Sequence, residues 1–217
     1  MIGSRSAYTR KRISDAATRL FAQKGDRTSL REITAEARVN LSAVNYHFGS
    51  KEGLIQAVCE NRLNALNQEQ LAMLDLLEAQ ASHGMAVEPL QIVEAYFRPL
   101  LRYAMNEPFL LLGQQSTPKH PNTLLQIVIL KGHAPVLDRF RMALLRAQPD
   151  MPGLELIWRL LFMLGAASST VAGMDGLLLA LDRSSPEPFH PEMLIERLMP
   201  FLAHGLTAPL PETAAAQ

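Results

Sequence analysis

Apolar residues recur at helical spacing along nearly the whole chain, and no stretch shows the strict alternation that is typical of a strand. One face of the first predicted helix, residues 7–24, carries the apolar side chains of Ile13, Ala17, Leu20 and Phe21. Further helices are predicted over residues 51–80, 90–105, 109–115, 123–148, 154–181 and 192–204. The predicted fold class is therefore all-α.

Two short helices are predicted between residues 28 and 48, with a tight turn at residues 38–40. Ser29 followed by Glu32 is an S-x-x-E capping box, and Asn40 is a good N-cap for the second short helix. Ser50 can cap the long helix that follows. A short helix, a tight turn and a second short helix form the helix-turn-helix pattern, in which the second helix enters the major groove of DNA.

The second short helix has an inner and an outer face when its residues are placed at about 100° each. The inner face carries Val44 and Phe48, with Leu41 at its edge. The outer face carries Ser42, Ala43, Asn45 and Tyr46. A small, polar and aromatic surface suits approach to base edges better than packing against another protein layer.

The net charge of the chain is zero, but the charges are distributed unevenly. Residues 1–51 contain ten lysines and arginines against four acids, a net charge of +6, and the remainder carries −6. Phosphate neutralisation is local to the surface that is bound, so a basic first segment suits a polyanion even in a neutral chain.

Motifs of catalysis, of phosphate-binding loops and of metal coordination are absent from the sequence. The single cysteine, Cys59, excludes an internal disulfide and fits a reducing cytoplasm. No apolar run reaches the roughly 18 residues of a membrane-spanning helix. We therefore expect a cytoplasmic protein that binds no cofactor, metal or membrane and is not an enzyme.

Residues 37–54, ARVNLSAVNYHFGSKEGL, resemble the signature A-G-V-S-x-G-x-L-Y-x-H-F-x-x-K-E-x-L of the DNA-binding domain of the TetR/AcrR family of bacterial regulators. This resemblance implies that bases are read by Leu41, Ser42, Ala43 and Tyr46. It implies that phosphates are contacted by Asn45, His47 and Lys51, with Ser29 and Thr28 or Arg31 as additions. Hydroxyl, imidazole and ammonium groups are suitable donors to phosphate.

The chain departs from this signature at three positions. Arg38 replaces the glycine of the turn, which costs about 1–2 kcal/mol if its backbone is left-handed. Ser42 replaces a second glycine, and Asn45 replaces the usual tyrosine, whose aromatic side chain is here supplied by Tyr46.

The second part of the chain resembles the fatty-acid-responsive branch of the same family, through LELIWRLLFMLGAA at residues 154–167 and LMPFL at residues 198–202. The resemblance implies that the last two long helices pair with their copies in a homodimer and that a cavity under the preceding helices takes an apolar effector. Candidate contacts to an effector carboxylate or phosphate are Arg98, Arg102 and Arg159. Arginines on helix faces are, however, more often solvated or paired.

The sequence thus predicts a helix-turn-helix DNA-binding domain over residues 1–51, a helical ligand-binding and dimerisation domain over 52–206, and a disordered tail over 207–217. The predicted function is that of a homodimeric repressor that binds a palindromic operator in double-stranded DNA and is released by a small apolar, fatty-acyl-like effector. Two alternatives stay open. One is a ligand-independent nucleoid-associated protein of the same fold, and the other is an enzyme or carrier that uses the helical body.

Overall fold

The computed structural model describes residues 2–106, 124–181 and 191–210, and within these ranges the chain forms eight α-helices and no strand. The helices are α1 (Ile2–Lys24), α2 (Leu30–Ala37), α3 (Leu41–Phe48), α4 (Lys51–Ser82), α5 (Pro89–Asn106), α6 (Leu124–Ala147), α7 (Gly153–Leu181) and α8 (Pro191–Thr207). A 3-10 turn at Gly25–Arg27 links α1 to α2. The predicted all-α fold class is confirmed.

Several helix limits differ from those predicted from the sequence. α1 begins at Ile2 rather than near residue 7, and α8 continues through Gly205 to Thr207. The continuation of α8 places Leu206 in the core, fully buried, and this burial outweighs the roughly 1 kcal/mol that a glycine costs inside a helix. The predicted helix 109–115 and the last seven residues of the predicted tail lie outside the described residues.

The chain divides into two compact units, and α4 contributes to both. The first unit comprises the chain up to Ala65 and the part of α6 that ends at His133. Its core is made of apolar side chains from α1, α2, α3 and the first half of α4, among them Ile13, Phe21, Ile33, Val44 and Leu54. The inner faces predicted for α1 and α3 are therefore confirmed, and Cys59 is buried in the same core.

The second unit comprises residues 66–105 and the chain from Ala134 onward. Its core draws apolar side chains from α4, α5, α6, α7 and α8, among them Leu74, Phe97, Phe140, Leu156 and Ile195. The rings of Tyr96 and Phe140 meet edge to face, with their centroids 5.1 Å apart. None of the described helices is long and apolar enough to cross a membrane. The domain limits at residues 51 and 206 stay a prediction.

Candidate nucleic-acid interface

The start of α2 is fixed by the predicted capping box. The Ser29 hydroxyl accepts from the backbone N–H of Glu32, and the Glu32 carboxylate accepts from the backbone N–H of Ser29 at 2.8 Å. Lys24 also donates to this carboxylate, at 2.6 Å. These interactions stabilise the charged form, so they lower the pKa of Glu32 from 4.5 to about 2, with the Lys24 hydrogen bond as the largest cause. Ser29 is exposed, but its hydroxyl is already used in the cap.

Thr28 serves the fold rather than the surface. Its side chain is fully buried, and its hydroxyl donates to the Leu20 carbonyl at 3.1 Å. Its backbone N–H donates to the Gly25 carbonyl, which closes the connection between α1 and α2. A buried hydroxyl that already donates to the backbone is not available to a phosphate.

The turn between α2 and α3 is left-handed at Arg38, with φ 50° and ψ 49°. The backbone N–H of Arg38 donates to the carbonyls of Thr34 and Ala35, which ends α2. From α1, the Arg12 guanidinium donates to the Ala37 carbonyl at 2.5 Å and to the Arg38 carbonyl at 3.5 Å. The end of α2 is therefore held by a cation, which suits the negative end of a helix dipole.

The start of α3 is capped by Asn40, as predicted. The Asn40 side-chain oxygen accepts from the backbone N–H of Ala43 at 2.9 Å and from the Ser42 hydroxyl at 2.8 Å. On the inner side of α3, Val44 is fully buried. On the outer side, Ser42 and Asn45 are exposed, and Tyr46 is 82% exposed. This division is the one predicted from the sequence.

The remaining predicted contact residues lie around this outer face. Leu41, placed by the sequence at the edge of the core, is 47% exposed. Ala43 and His47 are half-buried, and the His47 ring meets the Tyr46 ring edge to face at 5.0 Å. Arg31 on α2 is exposed. Of the predicted contact residues, Arg31 lies on α2, Lys51 is the first residue of α4, and Ser29 caps the start of α2. The others except the buried Thr28 lie on α3.

The connection from α3 to α4 sets the position of Lys51, the first residue of α4. Gly49 has a positive φ of 76°, and the Ser50 hydroxyl accepts from the backbone N–H of Gly53 at 3.1 Å. A Cβ on Gly53 would lie 2.1 Å from the Phe48 carbonyl oxygen. Only glycine therefore permits the close approach of the first turn of α4 to the end of α3. A hydrogen bond from its own backbone N–H and then one from the Ser50 hydroxyl lower the pKa of the Glu52 carboxyl.

Two arginines in the first half of α1, Arg10 and Arg12, contact α3 and the end of α2, and neither contact was predicted from the sequence. The Arg10 guanidinium lies over the Phe48 ring, 5.5 Å from its centroid, and so adds a positive charge beside the end of α3. Arg12 holds the end of α2. The available signal was the cluster of basic residues at positions 10–12, but its contacts depend on packing across the unit.

The arginines predicted for an effector are each engaged by other groups. Arg98 pairs with Glu94 on its own helix at 3.4 Å, and Arg102 pairs with Glu69 on α4. Arg159 is buried, pairs with Glu155 at 2.8 Å, and donates to backbone carbonyls at the end of α8 and just beyond it, those of Leu206, Ala208 and Pro209. An effector anion would have to displace these partners.

A cleft in the second unit lies between α4, α5 and α6, with a volume of about 220 Å³. Its lining is apolar apart from Glu78 and Arg146, which pair with each other. The apolar part includes Leu74, Leu77, Ile92 and Ala143. None of the three predicted effector arginines lines this cleft.

Two protein-family models match the chain. Residues 13–58 match the model for bacterial regulatory proteins of the tetR family, and residues 94–205 match the model for a tetracyclin repressor-like C-terminal domain. Together they account for more than half of the chain. No curated protein matches the sequence.

Solved structures share the fold over 91%, 94% and 96% of this chain at low sequence identity. A fatty acid degradation regulator FadR from Bacillus halodurans has 17% identity and a TM-score of 0.63, and the match covers 91% of this chain and 96% of that one. A TetR-family transcriptional regulator from Mesorhizobium loti has 19% identity and a TM-score of 0.65, covering 94% and 97%. RolR in complex with resorcinol has 19% identity and a TM-score of 0.53, covering 96% and 98%. The chain therefore belongs to the TetR family, whose members are DNA-binding transcriptional regulators and not enzymes.

Proposed function

We propose that this protein is a homodimeric repressor that binds a palindromic operator in double-stranded DNA through α3 and is released by a small apolar effector. The observation that carries the proposal is the outer face of α3. The inner face of α3 is buried at Val44, whereas Tyr46 on the outer face is 82% exposed. The helix lies in the segment 1–51, whose net charge is +6. An exposed aromatic beside small polar residues on a basic surface fits a major groove.

Within this face, the residues divide by the part of DNA they contact. Leu41, Ser42, Ala43 and Tyr46 contact base edges, because they project from the outer side and the first turn of α3. Phosphates are contacted by Asn45, His47, Lys51, Arg31 and Ser29. Lys51 stands at the start of α4, where the helix dipole also favours an anion.

The exposed face of α7 supports dimerisation. The exposed apolar residues Leu154, Ile157, Trp158, Leu161 and Phe162 follow the spacing of one helix face. The opposite side of the same helix is buried in the core through Leu156, Leu160 and Met163. A helix that is apolar all round is normally buried on all sides, so this face needs a cover. α8 packs beside α7 and adds Phe201, which is 67% exposed.

A second copy of the chain is the cover that we propose for this face. In a two-fold dimer the same surface is used by both chains, so one apolar stripe meets its copy. The two α3 helices would then enter successive major grooves about 34–36 Å apart and read an inverted repeat.

The effector part of the proposal is supported by the cleft between α4, α5 and α6. Its volume of about 220 Å³ is below the range of about 300–1,000 Å³ typical of drug-sized ligands, so it suits a small molecule. Its apolar lining favours an apolar ligand. α4 lines the cleft with Leu74 and Leu77 and starts at Lys51 in the DNA-binding face. An effector releases the protein from DNA only if it binds more tightly to a position of α4 that does not fit the operator than to the position that does.

The test compares two substitutions on the same operator. Lys51→Ala should weaken binding to all duplexes alike and flatten its dependence on salt, because it removes a phosphate contact. Tyr46→Ala should mainly reduce the discrimination between operator and unrelated DNA. Fluorescence anisotropy over a salt series measures both effects. Wild-type affinity and salt dependence in both variants would contradict the docking of α3.

A further inference from the structure

Arg38 occupies a backbone conformation that does not favour arginine. It is the only non-glycine residue with a positive φ in the described part of the chain, at φ 50° and ψ 49°. The side chains of L-amino acids crowd the backbone in this region, and glycine adopts it without that penalty. The stability of the turn therefore gives no reason for an arginine at this position.

The surroundings of Arg38 leave its charge uncompensated. Its side chain is exposed and makes no hydrogen bond or ion pair with any described residue. Arg12 reaches the same turn, where it donates to the carbonyls of Ala37 and Arg38, and it pairs with no carboxylate among the described residues. The nearby acid in the sequence, Glu36, pairs with Arg19 at 2.8 Å. The turn thus carries the guanidinium of Arg38 and is contacted by that of Arg12 from α1, and neither group has a carboxylate partner among the described residues.

The same turn leads directly into the proposed recognition helix. Arg38 precedes Asn40, whose side chain caps α3 and holds the Ser42 hydroxyl. The start of a helix is its positive end, so α3 adds to the positive potential at this turn. When α3 lies in a major groove, the phosphates at the edge of the groove face the residues that flank the helix.

We propose that Arg38 contacts a phosphate of the operator backbone, in a role that a glycine at this position cannot have. The left-handed backbone and the Arg12 hydrogen bonds hold the turn in place, and the long side chain extends from it to the DNA. This inference rests on the proposed function and adds a contact to that interface. The contact is with phosphate, so it strengthens binding to operator and unrelated DNA alike.

Substitutions of Arg38 separate this role from a structural one, because stability and affinity change in opposite directions. Arg38→Gly relieves the backbone and should raise the melting temperature by several degrees. The same change should weaken binding to operator and unrelated duplexes by about tenfold, and should lower the slope of log K against log salt by about 2, one phosphate contact for each protomer. Arg38→Lys should retain affinity within about threefold, because it keeps the charge.

Two further variants serve as controls. Arg38→Ala removes the charge and keeps the unfavourable backbone, so it should lose as much affinity as Arg38→Gly without the gain in melting temperature. Arg141→Gln removes a positive charge from an ion pair in the second unit and should leave DNA binding unchanged. Wild-type affinity and salt slope in Arg38→Gly, with a loss of affinity in Lys51→Ala, would overturn the Arg38 contact alone. Failure of the wild type to bind any duplex would overturn the proposed function and this contact together.

Discussion

Phe162 provides a direct test of the proposed dimer. It lies on the exposed face of α7, stacked on Trp158 with ring centroids 6.0 Å apart, and 66% of its surface is exposed. We predict that Phe162→Ala converts the dimer to monomers at concentrations where the wild type is dimeric. The single chain should keep its fold, because little of this side chain is buried in the core of its own protomer.

The size of the effect follows from the exposed area. An aromatic side chain buries about 150–250 Å² when fully covered, so the exposed two-thirds of Phe162 offers roughly 130 Å² to a partner. At about 25 cal/mol for each Å², this area contributes about 3 kcal/mol for each copy of the residue. A symmetric dimer contains two copies of Phe162, so the two together contribute at most about 6 kcal/mol to dimerisation. A loss of half this free energy raises the dissociation constant of the dimer about a hundredfold.

Sedimentation velocity over a dilution series is the assay, with the mass compared with the 24.0 kDa of one chain. Leu76→Ala is the matched control, since Leu76 is an exposed apolar residue of α4, 67% exposed, outside the α7 face. Helix content from circular dichroism verifies that both variants fold. A dissociation constant of Phe162→Ala within about threefold of the wild type would refute the assignment of this face to the dimer.

Three further predictions concern stability. Gly53→Ala should lower the melting temperature and weaken DNA binding more than Gly153→Ala does: its Cβ would lie 2.1 Å from the Phe48 carbonyl oxygen, whereas nothing lies within 4 Å at Gly153. Equal effects would contradict the close approach. The pKa of Glu32 is lowered to about 2, so its charged form stabilises the fold above pH 4.5 and this stabilisation is lost as the pH falls toward 2. Glu32→Gln should therefore flatten the loss of thermal stability over this range, and an unchanged pH profile would contradict the pairing. Deletion of residues 208–217 removes two carbonyl partners of the buried Arg159. It should lower the free energy of unfolding, measured with urea, by about 2–4 kcal/mol. An unchanged free energy of unfolding would show that these two hydrogen bonds do not stabilise the fold.

Local sequence patterns predicted a large part of the fold and of the candidate interface. Helical spacing located the helices, because each buries one apolar face. The capping box at Ser29 and the N-cap at Asn40 were predictable because their partners lie within three residues. The outer face of α3 followed from the burial of Val44 and the geometry of a helix.

Features that depend on distant parts of the chain were not predictable in this way. A hydroxyl beside a capping residue gives no sign of its direction, and Thr28 points inward to the Leu20 carbonyl. The need for glycine at position 53 arises only when the end of α3 meets the start of α4. Arg159 was a candidate for an effector, yet its partners include carbonyls 47 to 50 residues further along the chain.

The central claim is that a dimer of this protein reads an inverted repeat through α3. Selection and sequencing of the DNA fragments that the wild-type protein retains, in parallel with Tyr46→Ala, tests it most directly. We predict that the wild type enriches a palindrome whose half-sites are about 10 base pairs apart, or a multiple of this spacing, and that Tyr46→Ala loses this enrichment. Retained fragments without a shared inverted repeat, or the same enrichment with Tyr46→Ala, would contradict the claim.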